Sequence, residues 1–470
     1  IFFSICPCQT LWSRVPVVDC HAASAMPLKR SKWDESDDDS NESEPDDVHA
    51  AKSRRIDAEE RRPTPELDVQ ELVLANFVRP NGQLDIPSAE LGKLKASHGV
   101  AALAKGLCLA IASGSGAGDG FVVGRGHPLP YPYKRHFMGD VARKFQALQE
   151  FPWDRRLITK PYHKIDGLAS KTHMFRDTTF DEGHLRVQSQ PSDYDDIDII
   201  TDYFNEGPRL RSRRLGSPDP PLAHWTRPEL SVRWMEKLLW QEGPHRYDCI
   251  SSWTLRETLA YAEGVRECTQ FKPSLGLSVI KLLKGSRVLD FSSGWGDRLI
   301  AAIAADVERY VGVDPNADLR PGYEAIIARF AGRERAARYT MVRAPFQTAR
   351  LPPGETFDLV FTSPPYFNFE LYSSAADQSA VEGTTLEDWL LEFLFVALDK
   401  AWAVLQPEGN MALHIVDINV RVGAFTEVMN LYIQGHLPGA QYRGVVASCG
   451  GESGRNRPVW VWRKRPAAPE

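Results

Sequence analysis

The sequence predicts an α/β fold whose sheet lies in the C-terminal half of the 470 residues. Two observations support this class. From residue 287 onward, short apolar and β-branched runs alternate with longer helical patterns, which is typical of strands connected by helices. Two of these runs also end abruptly, one in Asp290 and a glycine turn, the other in Ser363-Pro364-Pro365-Tyr366. Ligands of open α/β sheets bind at the carboxyl ends of strands, so a site is expected there.

The individual elements of this sheet follow from the same patterns. Strands are expected near 287–291, 309–313, 339–343, 357–362, 409–416, 441–447 and 458–464. Helices are expected near 296–305, 318–331, 385–405 and 423–434. The last two strands are separated only by the turn-rich segment 448–457, so they are predicted to form an antiparallel hairpin that reverses the final strand.

Residues 1–66 are predicted to be a disordered tail. Segment 34–47 contains nine carboxylates and no basic residue, a composition that cannot bury a core. Basic residues flank it at 29–30 and 52–55, where a nuclear import signal and a solvated tail are both open interpretations. An intracellular, nuclear protein is the expectation. Residues 1–25 precede the first methionine, Met26, and are expected to be translated upstream sequence, with a truncated signal peptide as the alternative.

Residues 67–245 are predicted to be a mainly helical, basic region that binds nucleic acid. Segment 124–176 has eleven Lys and Arg against four Asp and Glu, with aromatic residues interleaved. Basic and aromatic residues together suit phosphate contact and base stacking, whereas a solvated surface over an aromatic core is the alternative. The candidate contacts are Lys134, Arg135, Arg143, Lys144, Arg209, Arg211, Arg213 and Arg214.

Membrane and metal chemistry are not expected. No apolar run reaches the length of a membrane-spanning helix, which favours a soluble protein. The seven cysteines form no C-x-x-C pair, so neither a zinc site nor a disulfide framework is predicted.

The segment 287–299 predicts a nucleoside site. A strand ending in Asp290 is followed by Gly294 and Gly296 and then by a helix, so backbone amides can approach a ligand closely. A second strand ends in Asp314, where a carboxylate suits ribose hydroxyls. The third glycine of a dinucleotide-binding fingerprint is replaced by Leu299, which argues against NAD.

The ordered set D-x-x-x-G-x-G, VGVD and SPPY, over about 271–465, resembles class I S-adenosylmethionine-dependent methyltransferases, and more narrowly those that methylate exocyclic amino groups of nucleic-acid bases. The resemblance implies a Rossmann-like methyltransferase domain at 246–470, with a reversed final strand and S-adenosyl-L-methionine as cofactor. Two positions depart from the family pattern: Ser292 replaces a glycine, and the third strand's tip, 342–346, has no acidic residue. The implied cofactor contacts are Phe271, Asp290, Ser292, Gly294, Gly296, Asp314, Pro315 and Phe346.

The segment 363–366 supplies the predicted catalytic residues. The two prolines fix the backbone and end the strand, so Ser363 Oγ and the Pro364 carbonyl are rigid candidate acceptors for an amine's N–H groups. Tyr366 offers a face on which a flipped base can stack, and Pro365 completes the bend. His414, at a later strand end, is expected to be a satisfied core histidine.

The expected activity is methylation of cytosine N4 or adenine N6 in DNA. An RNA enzyme acting on adenine N6 or guanine N2 is the first alternative. The second is an inactive methyltransferase fold that serves as a nucleic-acid-binding subunit. The expected partner is therefore nucleic acid, with DNA favoured over RNA.

Overall fold

A computed structural model of the chain describes residues 65–466, except 80–81, 113–128, 137, 190–196, 226–231, 241–248, 263, 382, 418–422 and 450–453. Residues Arg62–Glu470 belong to one compact unit. The predictions for the acidic tail, the import signal and the residues before Met26 fall outside the described residues.

The strands are numbered in chain order. They are β1 Asp85–Ile86, β2 Leu157–Ile158, β3 Thr179–Phe180, β4 Gly183–His184, β5 Arg186–Gln188, β6 Arg213–Arg214, β7 Ile250–Ser251, β8 Arg287–Asp290, β9 Arg309–Val313, β10 Tyr339–Val342, β11 Phe357–Thr362, β12 Glu370–Leu371, β13 Leu405–His414, β14 Ala440–Cys449 and β15 Arg457–Lys464.

The α-helices are numbered in the same way. They are α1 Pro65–Asn76, α2 Ser88–His98, α3 Val100–Ala112, α4 Val141–Gln149, α5 Asp202–Arg211, α6 Pro221–Trp225, α7 Val232–Leu239, α8 Ser252–Ala262, α9 Pro273–Leu282, α10 Asp297–Ala305, α11 Arg320–Ile326, α12 Gly332–Arg335, α13 Leu386–Asp388, α14 Phe395–Val404 and α15 Phe425–His436. Short 3₁₀ segments are Lys134–His136, Trp153–Arg156, Ile197–Ile199, Ala317–Leu319 and Ala336–Arg338, and π-helical turns are Ile327–Ala331 and Trp389–Leu394.

The central sheet has the strand order β10-β9-β8-β11-β13-β15-β14. The first five strands of this order are mutually parallel. β15 pairs antiparallel with both β13 and β14, so the last strand of the chain is reversed. The predicted Rossmann-like α/β sheet with a reversed final strand is confirmed.

Helices cover both faces of this sheet, because successive side chains of each buried strand point to opposite sides. On one face Val459 and Val461 join the core formed with α4, α9, α10 and α11. The intervening Trp462 lies on the other face, where its indole N–H donates to Asn430 Oδ1 of α15 at 2.9 Å. Both faces of β15 are therefore buried, which explains its continuous apolar sequence.

The N-terminal segment contributes to two cores. Helices α1, α2, α3, α7 and α8 form a second hydrophobic core with Trp225 and Trp234. Residues 157–188 form β2 to β5 and extend the sheet beyond β14, through pairs such as Ala447 with Arg186. The sequence prediction treated this stretch as part of a mainly helical region. Strands of two or three residues carry no readable periodicity, which is why they escaped prediction.

Among the described residues, no single helix has the length and apolar composition needed to cross a membrane; the bent pair Ser88–His98 and Val100–Ile111 meets that criterion only when both helices are combined.

Candidate active site

A cavity of about 600 Å³ opens at the carboxyl ends of the parallel strands. It brings together residues from the tips of β8, β9, β11 and β13, which are distant in sequence but adjacent in the sheet. The predicted site residues that line it are Phe271, Ser292, Gly294, Asp314, Pro315, Phe346, Ser363, Pro364, Pro365 and Tyr366.

Asp290 and Gly296 are not among the residues that line the cavity, so their role as direct cofactor contacts stays a prediction. Asp290 is fully buried beneath the glycine turn. Its carboxylate accepts hydrogen bonds from Arg298 Nε at 2.8 Å and from the Tyr310 hydroxyl at 2.9 Å. The Arg298 guanidinium also donates to the Ser292 carbonyl oxygen. Asp290 therefore holds the turn in shape from behind the cavity wall.

Gly296 precedes α10 and has a φ of 97°, a conformation that favours glycine. A Cβ atom there would lie 3.2 Å from Ile326 and 3.4 Å from Tyr323, so a side chain is also disfavoured by packing. The hydroxyl of Tyr323 donates to the Gly294 carbonyl oxygen. The second glycine of the motif is thus required by the backbone turn and by helix packing.

Asp314 follows β9 and braces the glycine turn. Its Oδ2 accepts from the Gly294 backbone N–H and its Oδ1 from the Asn316 backbone N–H, both at 2.9 Å. Burial raises the pKa of Asp314 to about 6, although these two hydrogen bonds oppose the rise. Each carboxylate oxygen can accept more than one hydrogen bond, so acceptor capacity remains for a ligand hydroxyl in the cavity.

Two aromatic side chains form apolar parts of the cavity wall. Phe346 stacks on Phe291 with ring centroids 5.2 Å apart. Beside Phe346, Gln347 also lines the cavity. Its side-chain Oε1 is buried and accepts no hydrogen bond from the described residues. On the other side, the ring of Phe271 packs edge-on against His414 at 5.2 Å. Gln347 therefore contributes a polar side chain to the cavity wall next to these aromatic rings.

Ser363 and Tyr366 are both hydrogen-bonded to His414, at the end of neighbouring strand β13. The Ser363 hydroxyl donates to the His414 carbonyl oxygen at 2.9 Å. The Tyr366 hydroxyl lies 3.0 Å from His414 Nδ1. Burial, and then the charge of Arg457, lowers the pKa of His414 to about 3, so its ring is neutral near pH 7. With Tyr366 as the donor, Nδ1 is the acceptor and the ring proton lies on Nε2.

These contacts determine what Ser363 can offer a ligand. Its only hydroxyl proton is taken by the His414 carbonyl, so the lone pairs of Oγ remain as acceptors. His414 was expected to be a satisfied core residue, and it is buried and hydrogen-bonded, but it also lines the cavity. The sequence contained no sign of this contact, because β11 and β13 are adjacent only in the sheet.

Two buried carboxyl groups that the sequence did not single out also line the cavity. Asp297 begins α10 and accepts from the Thr201 hydroxyl. Its burial raises its pKa to about 7. Glu370 accepts from the Thr269 backbone N–H at 2.6 Å, and burial raises its pKa as well. Among the described residues, no group of three or more His, Cys, Asp or Glu side chains could hold a metal ion.

The structure removes two residues from the predicted nucleic-acid contacts. Arg209 is 2% exposed, and its guanidinium binds both oxygens of Asp202, at 2.8 and 2.9 Å, and Glu267 at 2.7 Å. Lys144 is 8% exposed. Neither side chain can reach a phosphate on another molecule. Sequence composition cannot separate such buried cations from surface ones.

The other predicted contacts remain accessible to different degrees. Lys134 is half-buried and forms a 2.6 Å ion pair with Asp202. Arg214 is half-buried over the Phe369 ring at 4.8 Å. Arg135, Arg143, Arg211 and Arg213 are exposed. A nucleic-acid interface on these residues stays a prediction.

Comparisons with known proteins give similarities of fold only. No protein-family model matches the chain, and no curated protein matches it. Similar solved structures include TrmN from Thermus thermophilus, at 19% identity over 47% of this chain and 70% of that one, with a TM-score of 0.28. The glycopeptide N-methyltransferase MtfA is similar at 12% identity over 41% of this chain and 95% of that one, with a TM-score of 0.29. The M. jannaschii tRNA m1G37 methyltransferase is similar at 10% identity over 42% of this chain and 52% of that one, with a TM-score of 0.26. At these values the fold assignment depends on the strand order of the sheet itself.

Proposed function

We propose that this chain is a class I methyltransferase that transfers a methyl group from S-adenosylmethionine to an exocyclic amino group of a nucleic-acid base. The observation that carries the proposal is the shared cavity. The glycine turn and Asp314 lie on one side of it, and the segment 363–366 lies at the tip of β11, two strands away. A nucleoside cofactor and an amine acceptor can therefore meet in one enclosed space.

The cavity residues fit this cofactor. Asp314 has acceptor capacity for ribose hydroxyls, and the side-chain amide of Gln347, in the cavity wall beside Phe346, is the candidate partner of an adenine amino group. S-adenosylmethionine supplies a methyl group activated by a positively charged sulfur. The protein's part is to bind it, to orient the acceptor and to exclude water.

Ser363 and Pro364 orient the target amine. The amine is a weak nucleophile because its lone pair is delocalised into the base. When Ser363 Oγ and the Pro364 carbonyl accept its two N–H groups, the lone pair is directed at the methyl group as the new N–C bond forms. The bound cofactor would supply the methyl group and would leave as a neutral thioether that keeps the electron pair of the S–C bond. The methylated nitrogen then loses one proton, for which the buried carboxylate of Glu370 is a nearby acceptor in the same cavity.

Cytosine N4 or adenine N6 of DNA is the proposed target, because the serine form of the motif is typical of DNA amino-methyltransferases. Adenine N6 or guanine N2 of RNA is the alternative. Mass spectrometry of nucleosides, after incubation of the protein with S-adenosylmethionine and either DNA or RNA, tests both. An N-methylated nucleoside that forms more slowly with Ser363→Ala than with the parent protein supports the proposal.

Cofactor binding separates this enzyme from an inactive binding subunit. Calorimetric titration should detect S-adenosylhomocysteine binding that weakens in Asp314→Ala, since the ribose loses its acceptor. Binding of NADH instead, or of no nucleoside, would contradict the proposal. Cofactor binding without any methylated nucleoside would favour the inactive subunit.

A further inference from the structure

Two arginines of the cavity are not used by the mechanism above. Arg457 begins β15 and Arg455 lies just before it, and both line the cavity. Neither side chain forms an ion pair or a hydrogen bond with any described residue, unlike the buried Arg298, which binds Asp290. Arg457 lines the same cavity as His414 and Tyr366, and it lies two residues before Val459, which is the strand partner of His414. Two cations that have no partner among the described residues, beside the target site, indicate an anionic ligand.

The strand order shows on which side of the catalytic segment they lie. Asp314 follows β9, Ser363 follows β11, and Arg457 begins β15 at the same edge of the sheet. Neighbouring strands are about 4.8 Å apart, so β11 lies two spacings, or about 10 Å, from β9 and equally far from β15. The arginines are therefore on the side of Ser363 that faces away from the cofactor's ribose site.

We propose that Arg455 and Arg457 bind the backbone phosphate next to the target base, so that the enzyme's substrate is a nucleic-acid strand and not a free base or nucleoside. The inference depends on the function proposed above and adds a recognition element to it. Guanidinium groups match phosphate geometry and keep their charge at every relevant pH. A base held at Ser363 and Tyr366 would lie about 10 Å from the start of β15, so its sugar-phosphate and an extended arginine side chain could meet between them.

The experiment measures binding of short labelled single-stranded DNA and RNA oligonucleotides of mixed sequence, with S-adenosylhomocysteine present, over a range of salt concentrations. Arg457→Gln and Arg455→Gln are compared with Arg333→Gln. Arg333 is exposed and lies in α12, which precedes β10 and is therefore at the opposite edge of the sheet. Arg457→Lys tests whether the forked guanidinium or only the charge is needed, and thermal melting checks that each variant is folded.

Each glutamine variant should weaken oligonucleotide binding about tenfold, the effect of one charged hydrogen bond. The slope of log affinity against log salt should fall by about 0.7 for each lost single-strand phosphate contact. S-adenosylhomocysteine affinity should not change, and Arg333→Gln should behave like the parent protein.

Three outcomes would overturn the inference: no oligonucleotide binding by the parent protein, unchanged binding and slope in both variants, or lost S-adenosylhomocysteine affinity with oligonucleotide binding retained. The last would assign the arginines to the cofactor's carboxylate. The function proposed above fails separately, if no nucleoside becomes methylated and S-adenosylhomocysteine does not bind to the parent protein.

Discussion

The hydroxyl oxygen of Tyr366 lies 3.0 Å from Nδ1 of His414, which joins the tip of β11 to the tip of β13. Ser363 donates to the carbonyl oxygen of the same histidine. Two residues of the segment 363–366 are thus held by one residue of the neighbouring strand. The Tyr366 ring is fixed by its hydroxyl, so the orientation of its face depends on His414.

Tyr366→Phe should lower the rate of methyl transfer by about two- to tenfold, the value of one neutral hydrogen bond, because the ring remains but loses its anchor. Tyr366→Ala should lower it further, since base stacking contributes about 1–3 kcal/mol. Single-turnover transfer of a labelled methyl group measures both. Equal rates in Tyr366→Ala and the parent protein would place the base elsewhere.

Asp314 predicts a pH dependence of cofactor binding. Burial raises its pKa to about 6, and only the ionised carboxylate is a strong acceptor for ribose hydroxyls. S-adenosylhomocysteine affinity should therefore be constant above pH 7 and fall as the pH drops through 6. Asp297 also lines the cavity and has a pKa of about 7, so its titration could contribute to the same profile. Comparing the pH profiles of the parent protein and Asp314→Asn isolates the contribution of Asp314. A pH profile identical in Asp314→Asn would assign the titration to another residue.

The C-terminal sheet was predictable because its strands are long, apolar and separated by clear helical patterns. The predicted strand at 357–362 and the observed β11 coincide, and the reversed hairpin followed from the short connection between β14 and β15. Residues that line the cavity from adjacent strand tips were predictable where a motif marked them, as at Asp314.

What escaped prediction depends on strand adjacency and on burial. His414, Arg455 and Arg457 reach the site because β13 and β15 pair in space, which the sequence does not encode locally. Arg209 resembled its exposed neighbour Arg211 in sequence, yet α5 turns it into the interior. Charge patterns alone cannot distinguish these two environments.

The buried network around Arg209 should be important for stability. Arg209→Ala removes one of two cationic partners from each of two carboxylates: Asp202 keeps only Lys134, and Glu267 keeps only Arg256. Breaking a buried ion pair costs about 3–5 kcal/mol. Arg211→Ala, which removes an exposed pair with Asp318, should cost less than about 1 kcal/mol. Chemical denaturation measures the free energy of unfolding of both variants. A similar loss of unfolding free energy in Arg209→Ala and Arg211→Ala would show that the buried ion pairs of Arg209 contribute little to stability.

Arg211 and Arg213 are exposed and remain predicted phosphate contacts. Their double replacement, Arg211→Glu with Arg213→Glu, should weaken oligonucleotide binding and reduce its salt dependence, because fewer counterions are released. S-adenosylhomocysteine affinity should stay constant. An unchanged salt slope in fluorescence anisotropy would identify both arginines as solvated surface residues only.

Ser363→Ala tests the assignment of Oγ as an acceptor. Ser363 Oγ donates its proton to the His414 carbonyl oxygen, so its lone pairs are free to accept a hydrogen bond. The variant removes this acceptor, but the Pro364 carbonyl and the Tyr366 ring face remain. Loss of one hydrogen-bonding group in a preorganised site lowers the rate about 10²–10³-fold. Because the Pro364 carbonyl still accepts the other N–H group, we expect the rate of methyl transfer to fall by about 10²-fold or less. Oligonucleotide affinity should change little, because the hydrogen bond strengthens mainly as charge develops on the nitrogen. Single-turnover rates and equilibrium binding, measured on the same oligonucleotide, separate the two effects. A variant that loses affinity in proportion to its rate would show that Ser363 binds the ground state as strongly as the transition state.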